Sequence, residues 1–302
     1  MKDTKRFQSR FLDPQNLASI SSLKLIAKAV VEGFLVGLHR SPFHGYSAEF
    51  AEYRPYNPGD DVRYIDWRVY ARTDRYYVKR FEEETDLNCY LLLDTSRSMA
   101  YKPGAVSKID YARFLAASLA YLMTIQRDRI SLLLISDRVK QALSPGGGHR
   151  HLQSFLHELE AATAEGKTLL KAALLRVAES LGRRGLVIFI SDLYDDAKDV
   201  TRALIRFRRV GHEVIVFHLI DATETGLEFD GPVEFEDLET GERVSLDAAR
   251  ARRDYIRRLE ATLSFYNREL SKEGIDFVSL DTSRPLDHAL LAYLRKRQSR
   301  RR

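Results

Sequence analysis

From Leu87 onward, short apolar runs alternate with longer segments of helical periodicity, and this alternation restricts the possible folds more than any other feature. The apolar runs have the length of buried strands, and they are Tyr90–Leu93, Ile130–Ile135, Leu186–Ile190, Val214–Leu219 and Phe277–Leu280. The helical segments between and after them are 108–126, 149–162, 168–182, 197–210 and 247–273. The alternation predicts an α/β fold with a mostly parallel sheet and helices on both faces.

The length of 302 residues allows one large core plus an appendage. We predict an α/β domain over residues 87–294, preceded by a helical and irregular N-terminal extension (residues 1–86) and followed by a basic tail (residues 295–302). Asp13-Pro14 is a typical helix start, and the apolar residues that follow it at near-helical spacing are expected to form a packing face.

A hairpin is predicted within the α/β domain, between residues 222 and 246. Asp230-Gly231 and Thr240-Gly241 are turn sequences, and they frame short strand-like segments. The hairpin is therefore an excursion from the regular alternation of strands and helices.

The formal net charge of +5 belongs to the C-terminus, because residues 295–302 contribute six positive charges and the rest of the chain sums to about −1. The Arg- and Tyr-rich segment near Trp67 also contains many acids, so we expect it to pack on the main domain rather than to stack on nucleic acid. Binding of nucleic acid or an acidic membrane surface through the tail is kept as the weakest hypothesis.

The single cysteine, Cys89, excludes a disulfide within the chain and fits a reducing compartment. The first six residues lead into no uninterrupted apolar core, so we expect no secretory signal. The apolar segment Leu23–Phe34 is too interrupted to span a bilayer, since it contains Lys24, Lys28 and Glu32. The expected location is the cytoplasm.

Oxygen-bearing side chains follow the first predicted strand of the α/β domain. Asp94 ends the apolar run, and Ser96 and Ser98 follow at alternating positions. Such oxygens suit Mg²⁺, with Mn²⁺ as the alternative ion. Neutral hydroxyls offset less of the ion's charge than carboxylates would, so the ion would still favour an acidic ligand from outside. The pattern alone also fits a simple turn that caps the next helix.

Two further segments bring oxygen atoms to the same edge of the predicted sheet. Asp192 follows the strand Leu186–Ile190, and Thr168 lies in a loop at the start of a helix. Ligands of open α/β sheets bind beyond the carboxyl ends of the strands. This convergence favours a metal site made of Asp94, Ser96, Ser98, Thr168 and Asp192.

Two enzyme motifs are excluded by single positions. Gly166-Lys167-Thr168 imitates the end of a phosphate-binding P-loop, but that pattern requires glycine where the chain has Ala161. Asp94-Thr95-Ser96 resembles an aspartyl-phosphate motif, but Ser96 stands where a phosphatase of the haloacid type has a second aspartate. A metal-dependent phosphohydrolase or nuclease remains the alternative function, and Asp195 or Asp196 could serve as its general base. Acids in a loop after a strand are more often helix caps, here for the predicted helix 197–210.

The set Asp-x-Ser-x-Ser, Thr and Asp resembles the metal-ion-dependent adhesion site of von Willebrand factor type A domains. Residues 10–290 also resemble the bacterial family called domain of unknown function 58, which is often encoded beside MoxR-type AAA+ ATPases. The segments that carry this resemblance are Gly37-Leu38-His39-Arg40-Ser41-Pro42-Phe43, Arg54-Pro55-Tyr56-Asn57-Pro58-Gly59-Asp60-Asp61-Val62-Arg63, Ile65-Asp66-Trp67, Ala71-Arg72-Thr73-Asp74 and Phe81-Glu82-Glu83-Glu84-Thr85.

The resemblance implies a von Willebrand factor A-like, Rossmann-like sheet and assigns roles to the site residues. Ser96, Ser98 and Thr168 would contact Mg²⁺ directly, while Asp94 and Asp192 would hold it largely through water. A glutamate or aspartate of a protein partner would take the open coordination position. Many relatives carry membrane helices, and this sequence shows none.

The predicted function is a non-catalytic, Mg²⁺-dependent protein–protein interaction module. It would act as an adaptor of a MoxR-type AAA+ ATPase in protein remodelling or maturation, with the ATPase or its client as the acidic partner. The sequence does not specify the client or the oligomeric state.

Overall fold

The computed structural model describes residues 13–39, 53–55, 70, 76–79, 87–226 and 231–300. Most of the Arg- and Tyr-rich segment near Trp67 lies outside these residues. Its predicted packing on the main domain therefore also lies outside them. Residues 301 and 302 of the predicted basic tail also lie outside them.

Two helices and a two-stranded sheet are described before the α/β domain. Helix α1 (Pro14–Leu17) and helix α2 (Leu23–His39) are followed by strands β1 (Tyr53–Pro55) and β2 (Tyr77–Lys79). These two strands pair in the antiparallel direction. Asp13 caps α1, since its carboxylate accepts a hydrogen bond from the backbone N–H of Gln15, as the Asp13-Pro14 start predicts.

The α/β domain follows in a single run of elements. Its first half contains β3 (Asn88–Asp94), α3 (Lys108–Ile125), β4 (Arg129–Ile135), β5 (Val139–Gly146), α4 (Gly148–Ala161), α5 (Leu170–Ser180) and β6 (Leu186–Ser191). Its second half contains α6 (Ala197–Arg209), β7 (Glu213–Ile220), α7 (Ala222–Gly226), β8 (Pro232–Glu236), β9 (Arg243–Asp247), α8 (Ala248–Lys272), β10 (Asp276–Asp281) and α9 (Asp287–Arg300). Helix α9 includes residues 295–300 of the predicted tail.

Six of these strands form one sheet in the order β10-β7-β6-β3-β4-β5. All neighbours are parallel except β4 and β5, which are antiparallel. The predicted mostly parallel α/β sheet is therefore confirmed, and so is the predicted hairpin, which is formed by β8 and β9. Strand β5 was not expected from the sequence, because it is a largely exposed edge strand without an apolar run.

Helices cover both faces of the sheet, and alternate residues of β3 show this directly. Leu91 and Leu93 belong to a core cluster with side chains of α2, α3, α4 and α9. Tyr90 and Leu92 belong to a second cluster with side chains of α5, α6 and α8. Because successive side chains of a strand point to opposite faces, a strand buried on both sides reads as a continuous apolar run.

Helix α2 shares the core of the α/β domain. Ile26, Val30 and Phe34 are buried in the same cluster as α3, which confirms the predicted packing face. The chain leaves the helical path after Leu17 and returns to it at Leu23, so the apolar residues at near-helical spacing are divided between two helices. In the described residues, none of the helices combines the length and apolarity needed to cross a bilayer.

Gly185, which precedes β6, provides a test of the sheet packing. A Cβ at this position would lie 2.2 Å from the carbonyl oxygen of Asn88, which is backbone of the neighbouring strand and cannot move aside cheaply. We expect Gly185→Ala to lower the free energy of unfolding by about 1–3 kcal/mol, as overpacking does. Gly182→Ala is the matched control, because a Cβ there meets nothing within 4 Å. Equal denaturation midpoints for the two variants would contradict the described strand spacing.

Candidate metal centre

The candidate site lies where the neighbouring parallel strands β3 and β6 end. Leu93 is in register with Ile190, so the next residues, Asp94 and Ser191, face the same edge of the sheet. The Ser191 hydroxyl donates a hydrogen bond of 2.5 Å to Oδ2 of Asp94. The carboxyl edge of the sheet therefore gathers the polar groups that the sequence predicts there.

The turn after β3 holds the first three predicted ligands together. The backbone N–H of Ser96 donates to Oδ1 of Asp94 at 2.8 Å, and the Oγ atoms of Ser96 and Ser98 are 3.0 Å apart. All three side chains are buried, and a 3₁₀ turn over Arg97–Ala100 continues the chain. The sequence pattern thus forms a compact turn with its oxygens directed inward.

Asp192 joins this turn directly. The Ser98 hydroxyl donates to Oδ1 of Asp192 at 3.1 Å, although 94 residues separate them. Asp94, Ser96, Ser98 and Asp192 consequently form one continuous group of oxygen atoms. Four of the five predicted ligands are brought together by hydrogen bonds.

Thr168, the fifth predicted ligand, is brought near the turn by its loop. The backbone N–H of Arg97 donates to the carbonyl of Gly166 at 3.1 Å, and that of Glu165 donates to the carbonyl of Thr95 at 2.8 Å. Gly166 has a φ of +88°, which glycine adopts without strain. Among the described contacts, no hydrogen bond joins Thr168 to the other four side chains.

The side chain of Thr168 instead contacts Glu239, in the turn between β8 and β9. Its backbone N–H donates to Oε1 of Glu239 at 3.0 Å, and its hydroxyl donates to the same oxygen. The sequence predicted the hairpin but did not connect Glu239 with the site. Nothing in the local pattern of an exposed turn distinguishes this acid from its neighbours.

Lys108, at the start of α3, is a second residue that the sequence did not indicate. Its Nζ donates to Oδ2 of Asp192 at 3.0 Å and to Oε1 of Glu224 at 2.7 Å. Only 4% of its side chain is exposed, so the ammonium has left most of its water. Burial lowers the pKa of Lys108, but the negative charges of Asp192 and Glu224 outweigh this effect and raise it.

Burial and, to a smaller extent, the nearby charge of Asp192 together raise the pKa of Asp94 from 3.8 to about 7. Hydrogen bonds from Ser191 and Ser96 oppose the shift without cancelling it. Among the described contacts, Lys108 pairs with Asp192, but no ion pair compensates the buried carboxylate of Asp94. A divalent cation would supply the missing positive charge.

The donor set fits a hard cation. Among the described residues, no group of three or more His, Cys, Asp or Glu side chains is placed to hold a metal, and the predicted set combines two carboxylates with hydroxyl oxygens. Ser96, Ser98 and Thr168 provide them, and all three are buried. Nitrogen and sulfur ligands are absent from the predicted set, which favours Mg²⁺ over zinc or copper. The assignment of these five residues as ligands remains a prediction.

The two acids that could act as a general base are engaged in capping helices. Asp195 accepts from the backbone N–H of Leu170 at 2.9 Å, at the start of α5. Asp196 accepts from the backbone N–H groups of Lys198 and Asp199, at the start of α6. Both carboxylates therefore have structural roles, which weakens the hydrolase alternative.

Exposed apolar side chains flank the candidate site in sequence. Leu169 directly follows Thr168, Tyr194 lies two residues after Asp192, and Leu238 directly precedes Glu239. All three are exposed large hydrophobic side chains in the described part of the chain. Exposed apolar groups beside a buried polar site are typical of a surface that binds another protein.

Comparison with known proteins identifies a family, relatives in sequence and solved structures of low similarity. The family model described as "Protein of unknown function DUF58" matches residues 52–263. An uncharacterized protein of Mycobacterium tuberculosis is 28% identical over 277 residues, which cover 90% of this chain and 86% of that protein.

Solved structures with partial similarity include a conserved hypothetical protein, BatB, from Bacteroides thetaiotaomicron. It has a TM-score of 0.45 and 15% identity, and the alignment covers 70% of this chain and 99% of that one. The SpRpn10 VWA domain has a TM-score of 0.41 and 16% identity, with 68% and 93% of the two chains covered.

Proposed function

The chain belongs to the DUF58 family, and from that premise we propose that it is a non-catalytic, Mg²⁺-dependent protein-binding module. The observation that carries the proposal is the continuous group of buried oxygens formed by Asp94, Ser96, Ser98 and Asp192. Bound Mg²⁺ would supply an electrophilic position for an incoming carboxylate. Ser96, Ser98 and Thr168 would hold the ion directly, and Asp94 and Asp192 would hold it largely through water.

The partner is an acidic side chain of another protein, presented next to apolar residues. The acid complements the cation, and the apolar residues complement Leu169, Tyr194 and Leu238, which are all exposed. By resemblance to relatives encoded beside MoxR-type AAA+ ATPases, we propose such an ATPase or its client as this partner. Adaptor action in remodelling or maturation, in the cytoplasm, is part of the same proposal.

The hydrolase alternative finds less support in the site. Asp195 and Asp196 are its candidate bases, but their carboxylates accept hydrogen bonds from backbone N–H groups at helix N-termini. A phosphatase and nuclease assay with Mg²⁺ or Mn²⁺ distinguishes the two functions. If the wild type shows turnover and Asp192→Ala shows none, the protein is a metal-dependent phosphohydrolase or nuclease and not a binding module.

The proposal is tested with Ser98→Ala, which removes one predicted ligand without changing a charge. We expect the Mg²⁺ affinity, measured by titration calorimetry, to fall at least about tenfold, since even indirect partners of a metal contribute that much. Ser118→Ala is the matched control, because Ser118 is also buried but its hydroxyl donates to the carbonyl of Phe114, away from the site.

The same variants test partner binding. Immobilised wild-type protein should retain the ATPase or its client from a native extract in Mg²⁺, and should release it in a chelator. Ser98→Ala should retain neither, whereas Ser118→Ala should behave as the wild type. Absence of Mg²⁺ binding by the wild type, or capture that is unchanged in a chelator, would contradict the proposal.

A further inference from the structure

The hairpin of β8 and β9 places the carboxylate of Glu239 on Thr168, and we infer that Glu239 is an internal ligand of the metal centre. It occupies the position at which the partner's carboxylate docks, so a partner binds by displacing the hairpin. The inference rests on the proposed function, because it concerns access to the same site.

The contact between Thr168 and Glu239 is the one expected for a carboxylate bound at the metal centre. The backbone N–H and the hydroxyl of Thr168 both donate to Oε1 of Glu239. Thr168 is buried and is one of the residues predicted to contact the ion, so its acidic partner lies beside the position of that ion. A carboxylate that binds Thr168 in this way would also be available to a cation held by Ser96 and Ser98.

The turn that carries Glu239 is held in shape by its own hydrogen bonds. Oδ1 of Asp237 accepts from the backbone N–H groups of Glu239 at 2.7 Å and Thr240 at 3.1 Å. The backbone N–H of Gly241 donates to the carbonyl of Asp237 at 2.8 Å, and Gly241 has a φ of +73°. A preformed turn presents its acid with little further loss of conformational entropy.

Among the described contacts, the hairpin is otherwise lightly attached, as a displaceable element must be. Its two strands form a sheet of their own, separate from the six-stranded sheet, and most of their side chains are exposed or half-buried. Besides the contact with Thr168, Arg97 makes a long contact of 3.5 Å to the carbonyl of Leu238. Local opening of such a segment requires little free energy.

An internal ligand lowers the apparent affinity for an external one, because only the open fraction of the protein can bind. Neutralising Glu239 should therefore increase the affinity for an acidic probe. We expect a gain of about tenfold, since the effective concentration of a tethered group is typically millimolar or higher.

The test uses full-length wild type, Glu239→Gln, Glu239→Ala and the control Glu242→Gln. Glu242 lies on the same turn, and its carboxylate makes no hydrogen bond among the described contacts. Mg²⁺ alone is titrated first, followed by a synthetic peptide with a central glutamate flanked by leucines. Hydrogen exchange of residues 231–247 reports directly on the hairpin.

The inference predicts that Mg²⁺ protects the hairpin in the wild type and in Glu242→Gln but not in the two Glu239 variants. It also predicts that the peptide exposes the hairpin in the wild type, and binds about tenfold more tightly to both Glu239 variants. Equal peptide affinity in all four proteins would overturn the inference and leave the metal module intact. Weaker Mg²⁺ binding without a gain in peptide affinity would also overturn it, because Glu239 would then be a permanent ligand. No Mg²⁺ binding by any variant would overturn both proposals.

Discussion

Replacement of Lys108 by methionine is expected to lower the free energy of unfolding by about 3–5 kcal/mol in a chelating buffer. The ammonium group is buried between Asp192 and Glu224, at 3.0 and 2.7 Å, and 2% of the Asp192 side chain is exposed. Methionine keeps much of the apolar stem but leaves the Asp192 carboxylate without its positive partner. An unpaired buried charge costs more than the ion pair contributes when both partners are present.

The loss should be partly reversed by Mg²⁺. A cation at the proposed site would restore positive charge beside Asp192, so we expect Mg²⁺ to stabilise Lys108→Met more than it stabilises the wild type. Urea denaturation with chelator and with saturating Mg²⁺ measures both effects.

Lys171→Met is the control for this experiment. Lys171 pairs with Asp199 at 3.0 Å, but 49% of the lysine side chain is exposed, so its removal should cost less than about 1 kcal/mol. If the two lysine variants lost the same stability, the described environment of Lys108 would be wrong. If Mg²⁺ stabilised Lys108→Met no more than the wild type, the proposed position of the ion beside Asp192 would be wrong.

Asp94→Asn is expected to make the metal-free protein less sensitive to pH than the wild type. Burial and the charge of Asp192 raise the pKa of Asp94 from 3.8 to about 7 in the folded protein. Between these two values the native state binds more protons than the unfolded state. The free energy of unfolding must then fall as the pH rises, by up to about 1.4 kcal/mol per pH unit.

Denaturation of both proteins in a chelator at a series of pH values from 4 to 8 measures this difference. We expect the wild type to lose stability relative to Asp94→Asn as the pH rises through this interval, and to lose no more above it. Saturating Mg²⁺ at pH 8 should reverse the order, because the wild type presents the carboxylates of both Asp94 and Asp192 to the ion, whereas Asp94→Asn presents only that of Asp192. Parallel stability curves for the two proteins would show that Asp94 ionises as readily in the fold as in the unfolded chain.

The regular part of the fold could be predicted from the sequence because its strands are buried on both faces. Leu91, Leu92 and Leu93 all enter a core, and such an apolar run is recognisable without knowledge of its neighbours. Strand β5 escaped prediction for the opposite reason, since an exposed edge strand has neither an apolar run nor a clear period. The break between α1 and α2 escaped it because the apolar spacing continues across the interruption.

The proximity of four of the five candidate site residues could also be predicted from the sequence. Asp94 and Asp192 each follow a predictable strand, and parallel strands present their carboxyl ends at one edge, so their proximity follows from topology. Ser96 and Ser98 follow from the short turn after Asp94. Their role as metal ligands is still a prediction.

The sequence by itself determined the succession of strands and helices, because this follows from local apolar periodicity. It also determined the edge of the sheet at which the oxygen-bearing turns meet, because parallel strands have right-handed connections. The tertiary structure decided which charged side chains reach that edge. Glu239 contacts Thr168 across 71 residues, and Lys108 contacts Glu224 across 116. Pairings over such distances depend on how a hairpin and a short helix fold back onto the sheet, and no local pattern of an exposed turn or a helix start encodes that path.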